Sequence, residues 1–578
     1  MRGAATLFAL LAACALLTPA SAAASFGFSS FSVAAEKVGG GAAIQPGSHP
    51  YAFKSDVELN TAGGASDGDL RDLHLALPPG LLINPTAVPS ECSATAFHTH
   101  RSSPFEASES GEKCPNSSQV GVVKVNKGGT TRYFGLFNLV PPFGVAASLG
   151  ASPFGTPLVF NVHLHEPDNL QLDLEGLPQS FDLQGLEITV WGTPWITGHD
   201  AQRGNCLKEE DGTTWAPSSG EQAAAKCLVF ENAAAPESQI KSDLTMPTTT
   251  CNATPSYSIS ATSWQGAAAT ASANGSALSG ICHKQLSIPK VQLMTDNAAA
   301  RTGMVFNLTV NDGGGILNPG GEALPPIKTA IVSLPEGLTI NPSLGAGLGT
   351  CAEAQFAAET ATSEPGAGCP NGSKIGDVTV EEALGLAEPL KGSLYIATPY
   401  ANPFHTLLAV YMLARSARRG LIVKSVGKIE PDPSTGRLVA TFDNLPRLLY
   451  EHFTLTLREG QRSTLVSPSV CGGYPSGVDM SSWAEPTAFK HEPTAFFINH
   501  GEGGGPCPAG GIPPFAPGLL AGSLNPQAAA YTPFYLRMTR TDSEQEITSY
   551  SATFPPGLLA KIAGVTDCPD AAIEAAKA

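Results

Sequence analysis

The sequence is poor in charged residues. Only 14% of its 578 residues are Asp, Glu, Lys or Arg, against about 25% in a typical soluble protein. Lys and Arg number 33 against 50 Asp and Glu, which gives a net charge of −17 without any basic cluster. A chain this acidic cannot neutralise phosphate groups, so we expect no nucleic-acid partner. Aromatic residues are also scarce, at 7%, which argues against an aromatic binding face on every module.

The composition also disfavours long helices. The chain contains 61 Gly and 48 Pro, and both residues break helices. Hydrophobic residues still reach 42%, too many for a disordered chain. Short runs of Val, Ile, Leu, Phe and Thr, bounded by Gly, Pro, Asn and Asp, predict many short strands. The expected fold is therefore all-β, with tandem disulfide-stapled modules that resemble β-sandwiches.

The first residues predict export. Arg2 precedes an almost wholly apolar run, Ala4–Leu17, which ends at the small residues Thr18–Ala22. This pattern is typical of a secretory signal peptide, here residues 1–24, and it predicts a secreted or cell-surface protein. Lipidation of Cys14 is the alternative, although the apolar stretch before it is short. Because prolines interrupt the uncharged segment Asn138–Val162, we expect no membrane span after signal cleavage.

Internal repeats organise the rest of the chain. The segment Pro78–Pro85 returns as Pro335–Pro342, and its first part returns again as Pro555–Leu559. A cysteine follows each copy, and an apolar residue five positions later predicts a short helical turn. Further landmarks recur in the first two copies: the segments at Cys114 and Cys369, the dipeptides at Leu177 and Leu445, and the indoles Trp264 and Trp483. A self-match of this length indicates a repeat architecture.

The repeat register sets the expected domains. Repeat unit 1 covers residues 25–283, repeat unit 2 covers 284–510, and an incomplete unit 3 covers 511–578. The spacing between matched landmarks predicts an insertion in the first unit at about residues 191–241. The incomplete third unit suggests that the chain is truncated.

The cysteines follow the same register. Recurring spacings, together with one pair inside the insertion, predict five disulfides in an exported protein: Cys92–Cys114, Cys206–Cys227, Cys251–Cys282, Cys351–Cys369 and Cys471–Cys507. Cys568 is left unpaired. Two interpretations of Cys568 stay open: its partner lies beyond Ala578, or it is a free reactive thiol.

Several of these motifs carry a family resemblance. The strand end Leu77–Leu81, the Cys-Pro-Asn segments at Cys114 and Cys369, the turn Asn444–Pro446 and the linker from Pro514 to Pro526 resemble large uncharacterised exported repeat proteins of high-GC Gram-positive bacteria. The likeness covers nearly all of the chain after the signal peptide. It implies export and modular repetition, and it brings no catalytic residue or ligand.

No residue pattern predicts catalysis, a metal or a cofactor. Gly64–Gly68 matches the nucleophile motif G-x-S-x-G, but it precedes a strand in a polar loop and lacks the required strand-to-helix turn. His98 and His100, and likewise His163 and His165, put two imidazoles on one face of an extended segment. No third ligand is evident in the sequence, so we interpret both pairs as surface or partly buried histidines.

The insertion carries the one binding hypothesis. Trp191, Trp195 and Trp215 lie in it or at its edge, where exposed indoles could form an apolar platform for a sugar ring or a partner surface. The alternative is that the indoles fill a small core. Trp264 and Trp483, in equivalent places, are interpreted as core anchors.

Three function classes follow, and the first is favoured. It is a non-catalytic secreted or cell-surface repeat protein, a structural spacer or adhesin-like. The second is a carbohydrate- or ligand-binding secreted protein that uses the Trp-bearing insertion, and the third is a secreted hydrolase. The sequence identifies no partner; cell-wall or extracellular polysaccharide or another surface protein are the candidates.

Overall fold

A computed structural model describes residues 25–99, 114–165, 169–208, 240–280, 287–311, 313–341, 348–541, 544–545, 547–561 and 563–577. The predicted signal peptide, including Cys14, lies outside these ranges. The chain divides into two compact units, Met1–Cys507 and Pro508–Ala578. The described helices lack the combination of length and apolar character that crossing a membrane requires.

The first repeat is built from fifteen strands in the described residues. They are β1 Phe28–Glu36, β2 Ala52–Leu59, β3 Thr61–Ala62, β4 Ala65–Ser66, β5 Leu70–Ala76, β6 Leu82–Ile83, β7 Gln119–Lys127, β8 Thr130–Leu139, β9 Ala147–Ala151, β10 Leu158–His165, β11 Asn169–Leu174, β12 Leu183–Trp191, β13 Leu244–Thr245, β14 Ser256–Ser263 and β15 Ala268–Asn274. Eleven of them form one antiparallel sheet in the order β1-β2-β12-β7-β8-β9-β10-β11-β5-β14-β15. Alternate residues point into an apolar interior, as in β2 and β5.

The second repeat has fourteen strands in the described residues. They are β16 Ser287–Leu293, β17 Arg301–Thr302, β18 Met304–Val310, β19 Ile327–Ser333, β20 Thr339–Ile340, β21 Lys374–Glu381, β22 Leu390–Ile396, β23 Ala409–Ser416, β24 Leu421–Pro431, β25 Leu438–Phe442, β26 His452–Leu457, β27 Leu465–Val466, β28 Gly472–Ser482 and β29 Lys490–Ile498. Its eleven-stranded sheet runs β16-β18-β26-β21-β22-β23-β24-β25-β19-β28-β29. Read position by position, this order repeats that of the first sheet.

Both sheets curl so that their two edge strands lie against each other, β1 by β15 and β16 by β29. Opposite parts of each sheet therefore face one another across an apolar interior, which gives each repeat its sandwich-like core. The predicted all-β fold with tandem modules is confirmed.

Short helices follow the first cysteine of each repeat, as predicted. They are α1 Ala94–Thr99, α2 Glu353–Ala357 and α3 Asp570–Lys577. Short 3-10 segments complete the described helical structure at Asn116–Ser118, Pro153–Gly155, Gln179–Phe181, Thr197–Gln202, Gly204–Cys206, Asn371–Ser373, Ala383–Gly385, Glu502–Gly504 and Ala509–Gly511. In the second unit, β30 Gly518–Ser523 pairs with β31 Phe534–Thr539, an antiparallel pairing like the one that opens each large sheet.

The repeated sequence motif has a structural task. Gly80, Gly337 and Gly557 all have φ of +82° to +87°, a left-handed turn that glycine adopts without strain. A few residues later, the side-chain amides of Asn84 and Asn341 donate to the carbonyl oxygens of Ser242 and Ser463, at 2.8 and 2.9 Å. Each asparagine thereby ties the motif to the short strand β13 or β27, over more than 100 intervening residues.

Three of the five predicted disulfides lie wholly within the described residues. They are Cys92–Cys114, Cys351–Cys369 and Cys471–Cys507. Cys206 and Cys251 are disulfide-bonded too, but their predicted partners Cys227 and Cys282 lie outside the described residues, and those pairings stay predictions. Cys568 is free and exposed.

The two repeats are joined directly. Gly144 N donates to Arg418 O at 2.8 Å, and Ala323 N donates to Gly47 O at 2.9 Å. His49 bridges the repeats, with Nδ1 2.8 Å from Leu244 O and Nε2 2.8 Å from Gly315 O. One apolar cluster contains residues of both repeats, among them Leu82, Ala146, Ile316 and Leu384. The contact between the repeats therefore has a hydrophobic core of its own.

Candidate functional site

The interior of the second repeat contains an apolar cavity of about 230 Å³. It lies inside the curled sheet, between strands β18, β19, β21 and β22–β26, with further walls from β27 and β28. The wall is made almost entirely of aliphatic and aromatic side chains. In the first repeat, the corresponding interior holds a space of only about 10 Å³. Protein interiors are normally packed to crystal density, so a void of this size distinguishes the second repeat.

Smaller side chains on three adjacent strands explain where this space arises. Strand registers give the equivalent positions of the two sheets. Three of the pairs that face the interior there have Ser or Ala in the second repeat in place of Leu in the first: Leu158 and Ser425, Leu172 and Ala440, Leu73 and Ala330. All three smaller residues line the cavity. Two residues elsewhere on the wall are larger in the second repeat: Phe306 replaces Ser55, and Met480 replaces Ala261. They do not fill the space.

The burial of individual strand residues also shows that the second repeat is less tightly filled than the first. In β11 of the first repeat, the inward residues Leu170, Leu172 and Leu174 are all buried. In the equivalent β25, all five residues keep some accessible surface. The inward side chains of β25 retain that surface because they face open space.

The cavity wall has a small polar part. Thr464 is buried, and within the described residues its Oγ1 has no hydrogen-bond partner. Ser425 adds a second hydroxyl and Tyr450 a third. Burial raises the pKa of Tyr450, so its phenol stays neutral. A buried hydroxyl without a partner costs free energy; because Thr464 Oγ1 is itself fully buried, a polar group on a bound molecule could pair with Ser425 instead.

The structure corrects the prediction for Trp191. This indole is only 1% exposed. It stacks on His199 with ring centroids 4.5 Å apart, and the Arg203 guanidinium lies over the indole at 5.0 Å from its ring centroid. Trp191 is therefore a core residue and cannot serve as an exposed platform. Trp195 is half-buried, with Arg203 5.5 Å from its ring centroid, and Trp215 lies outside the described residues.

The buried stack around Trp191 is strongly shielded from water. Burial, helped by the positive charge of Arg203, lowers the pKa of His199 to about 3. Burial also lowers the pKa of Arg203, although Asp200 opposes this shift with a 3.3 Å ion pair. Tyr51 extends the stack, with its ring centroid 4.2 Å from that of His199.

The remaining tryptophans occupy equivalent places, but they are less buried than core anchors. Trp264 Nε1 donates to Leu177 O at 2.8 Å, and Trp483 Nε1 donates to Leu445 O at 2.9 Å. Trp264 is 47% exposed. Each indole thus fixes a Leu-Pro turn at the sheet surface.

His163 and His165 have a third partner that the sequence pattern does not indicate. Asp173, on the neighbouring strand β11, places a carboxylate oxygen beside both imidazoles. Strand register was the missing information, since Asp173 is opposite Asn161 and diagonal to His163. The other histidine pair is only partly described, because His100 lies outside the described residues. Gly64–Gly68 falls at the short hairpin β3–β4, where Ser66 Oγ donates to Asp182 at 2.9 Å.

No protein-family model and no curated protein matches this sequence. Among solved structures, the C-terminal domain of the Streptococcus agalactiae AgI/II polypeptide BspA aligns at 8% identity over 80% of this chain and 98% of that chain, with a TM-score of 0.16. The C-terminal domain of the Streptococcus pyogenes antigen I/II-family protein AspA aligns at 7% identity over 81% and 99%, with a TM-score of 0.15. A tetra-tandem repeat from the extending region of a large adhesion protein aligns at 7% identity over 82% and 74%, with a TM-score of 0.12. At these TM-scores the similarity is too slight to assign a function to this chain.

Proposed function

We propose that the protein is a non-catalytic exported repeat protein whose second repeat binds one small apolar molecule. The observation that carries the proposal is the 230 Å³ cavity with an almost wholly apolar wall. An engineered apolar cavity of about 150 Å³ binds benzene, so by proportion this one accommodates about nine non-hydrogen atoms. A medium-length alkyl chain with one terminal hydroxyl has that size, and its hydroxyl could pair with Ser425 on the cavity wall.

Energetics set the expected affinity. Burial of about eight methylene or methyl groups, at ~0.8 kcal/mol each, contributes about 6 kcal/mol. A satisfied hydroxyl contributes about 1 kcal/mol more, and association costs at least about 4 kcal/mol. The balance corresponds to a Kd in the millimolar range for a simple alcohol. A natural ligand with better shape complementarity would bind more tightly.

Saturation-transfer NMR with octan-1-ol tests this proposal, because it detects weak binding. We expect signal transfer to the alkyl chain of octan-1-ol. Ala440→Leu should weaken it at least several-fold, since Leu fills part of the cavity. Ala261→Leu is the matched control: it makes the same change in the filled interior of the first repeat and should leave octan-1-ol binding unchanged. Absence of transfer, or equal transfer to both variants, would contradict the proposal.

A second candidate function is that of a surface spacer or adhesin. The direct hydrogen bonds and the apolar cluster shared by the repeats support a stiff body, and disulfides are typical of oxidising compartments. Cell-wall or extracellular polysaccharide, or another surface protein, is the proposed partner. Incubation of the labelled protein with intact cells, before and after treatment with protease or glycosidases, tests this role. A protein that remains wholly in the supernatant would count against it.

A further inference from the structure

The outer face of the first sheet carries a polar cluster of three histidines and one aspartate. Strand β5 supplies His74, β10 supplies His163 and His165, and β11 supplies Asp173, because these three strands are neighbours in the sheet. The side chain of Asp173 is only 7% exposed, whereas that of His165 is 52% exposed. The cluster therefore has a buried anionic end and an end that opens to solvent.

The two carboxylate oxygens of Asp173 have different surroundings. Oδ1 is 2.6 Å from His74 Nδ1 and accepts a hydrogen bond from Gln171 Nε2 at 2.6 Å. Oδ2 is 2.8 Å from His163 Nδ1 and 4.0 Å from His165 Nε2. His74 and Gln171 thus fix the orientation of the carboxylate, and Oδ2 faces the other two imidazoles.

We propose that His163, His165 and Asp173 bind a divalent first-row transition-metal ion of the zinc type. Their ligand atoms already lie within 4.8 Å of one another. Zinc binds imidazole nitrogen and carboxylate oxygen at about 2.0–2.2 Å, which requires ligand atoms roughly 3–3.5 Å apart. The present separations from Oδ2, 2.8 and 4.0 Å, bracket that range, so small side-chain rotations complete the site.

Coordination chemistry favours this class of ion. Two imidazoles and one carboxylate suit zinc and its neighbours better than Ca²⁺ or Mg²⁺, which prefer oxygen ligands. Three protein ligands leave at least one position for water or for a group on another molecule. His74 and Gln171 act as positioning residues, because they hold the Asp173 carboxylate in place. Mutation of such supporting groups commonly lowers metal affinity about 10–100-fold.

The second repeat provides an internal comparison. At the positions equivalent to the cluster it has Ile331 for His74, Glu430 for His163, Asp432 for His165, Val439 for Gln171 and Thr441 for Asp173. The same sheet forms there without any of the three histidines or Asp173. Folding of the sheet does not require the cluster, which is compatible with a ligand-binding role for its residues. This inference is independent of the apolar cavity.

Zinc titration of the full-length protein by isothermal calorimetry tests the proposal, with Cys568 alkylated beforehand so that its thiol cannot bind the metal. The key variant is His165→Gln, because His165 is exposed and its removal should not unfold the sheet. Its matched control is His491→Gln in the second repeat, where an exposed histidine pairs with a single carboxylate, Asp479, at 2.9 Å. Cobalt(II) absorption gives a second readout of the coordination environment.

We expect one zinc site that His165→Gln and Asp173→Asn each weaken at least tenfold, while His491→Gln leaves it unchanged. The same two variants should alter the cobalt(II) spectrum. Absence of zinc binding would overturn the proposal. So would binding that His165→Gln leaves intact, or that His491→Gln weakens equally, because either result would indicate nonspecific binding to surface histidines.

Discussion

Filling the cavity of the second repeat should stabilise the ligand-free protein. Ala440 lines the cavity, and the equivalent residue of the first repeat is Leu172. Ala440→Leu adds three carbon atoms to an apolar space, which contributes about 2 kcal/mol at ~0.8 kcal/mol per buried group. Complete filling of the cavity would contribute more than this, because a void of 230 Å³ at about 24 cal/mol per Å³ costs about 5.5 kcal/mol.

The same substitution in a filled interior should have the opposite effect. Ala261 is 1% exposed in the core of the first repeat, and insertion of extra carbons into a packed core costs about 1–3 kcal/mol. Denaturant unfolding of Ala440→Leu and Ala261→Leu, with the disulfides intact, measures both changes in the free energy of unfolding. An increase in the free energy of unfolding for Ala440→Leu and a decrease for Ala261→Leu would support the prediction. If both variants are destabilised alike, the second repeat is not hollow and the reasoning is refuted.

Two buried titratable groups give further predictions, both measured by urea unfolding as a function of pH. Burial raises the pKa of Asp243 well above its ordinary value. Stability should therefore fall as pH rises above about 3.8, where the unfolded chain loses this proton. Asp243→Thr, which introduces the residue found at the equivalent position Thr464 of the second repeat, should be more stable than the original protein at neutral pH and lose that advantage in acid. Burial lowers the pKa of His199 to about 3, so stability should fall as pH drops below about 6.5, where the unfolded chain gains this proton. His199→Phe keeps an aromatic ring between Tyr51 and Trp191 and should reduce the acid-side loss; an unchanged pH profile for either variant would contradict its prediction.

The repeat architecture could be predicted because short local motifs specify it. Pro-x-Gly-Leu marks a left-handed glycine turn, and the following asparagine ties that turn to a distant short strand. Cysteines at matched spacings give the three fully described disulfides. Motifs of this kind constrain a few neighbouring residues, and a single sequence contains all the information they need.

Trp191 shows what the pattern of a single strand cannot reveal. Its neighbours Leu186, Ile188 and Val190 face the core, so Trp191 lies on the outer face of β12 and reads as exposed. The 3-10 segment Thr197–Gln202 then folds back and covers that face with His199. The residue pattern of the strand does not indicate that the following segment of the chain will cover its outer face.

The cavity and the histidine cluster required strand registers, which the sequence does not supply. His74 and Asp173 are 99 residues apart and meet because β5 and β11 are neighbours. Ala330, Ser425 and Ala440 are equally scattered, and each alone is an ordinary strand residue. Only the ladder of hydrogen bonds brings them to one wall.

The two repeats therefore differ in side chains while they share a strand order. On the inside, the positions that hold Leu73, Leu158 and Leu172 in the first repeat hold small residues in the second. On the outside, His74, His163 and Asp173 of the first repeat are replaced by Ile331, Glu430 and Thr441. Because the first repeat accommodates leucines at those inward positions, the backbone does not impose the cavity. A void that costs about 5.5 kcal/mol is large beside a typical domain stability of about 5–15 kcal/mol. A bound apolar molecule would offset part of that cost, which supports the proposal that the second repeat holds a ligand.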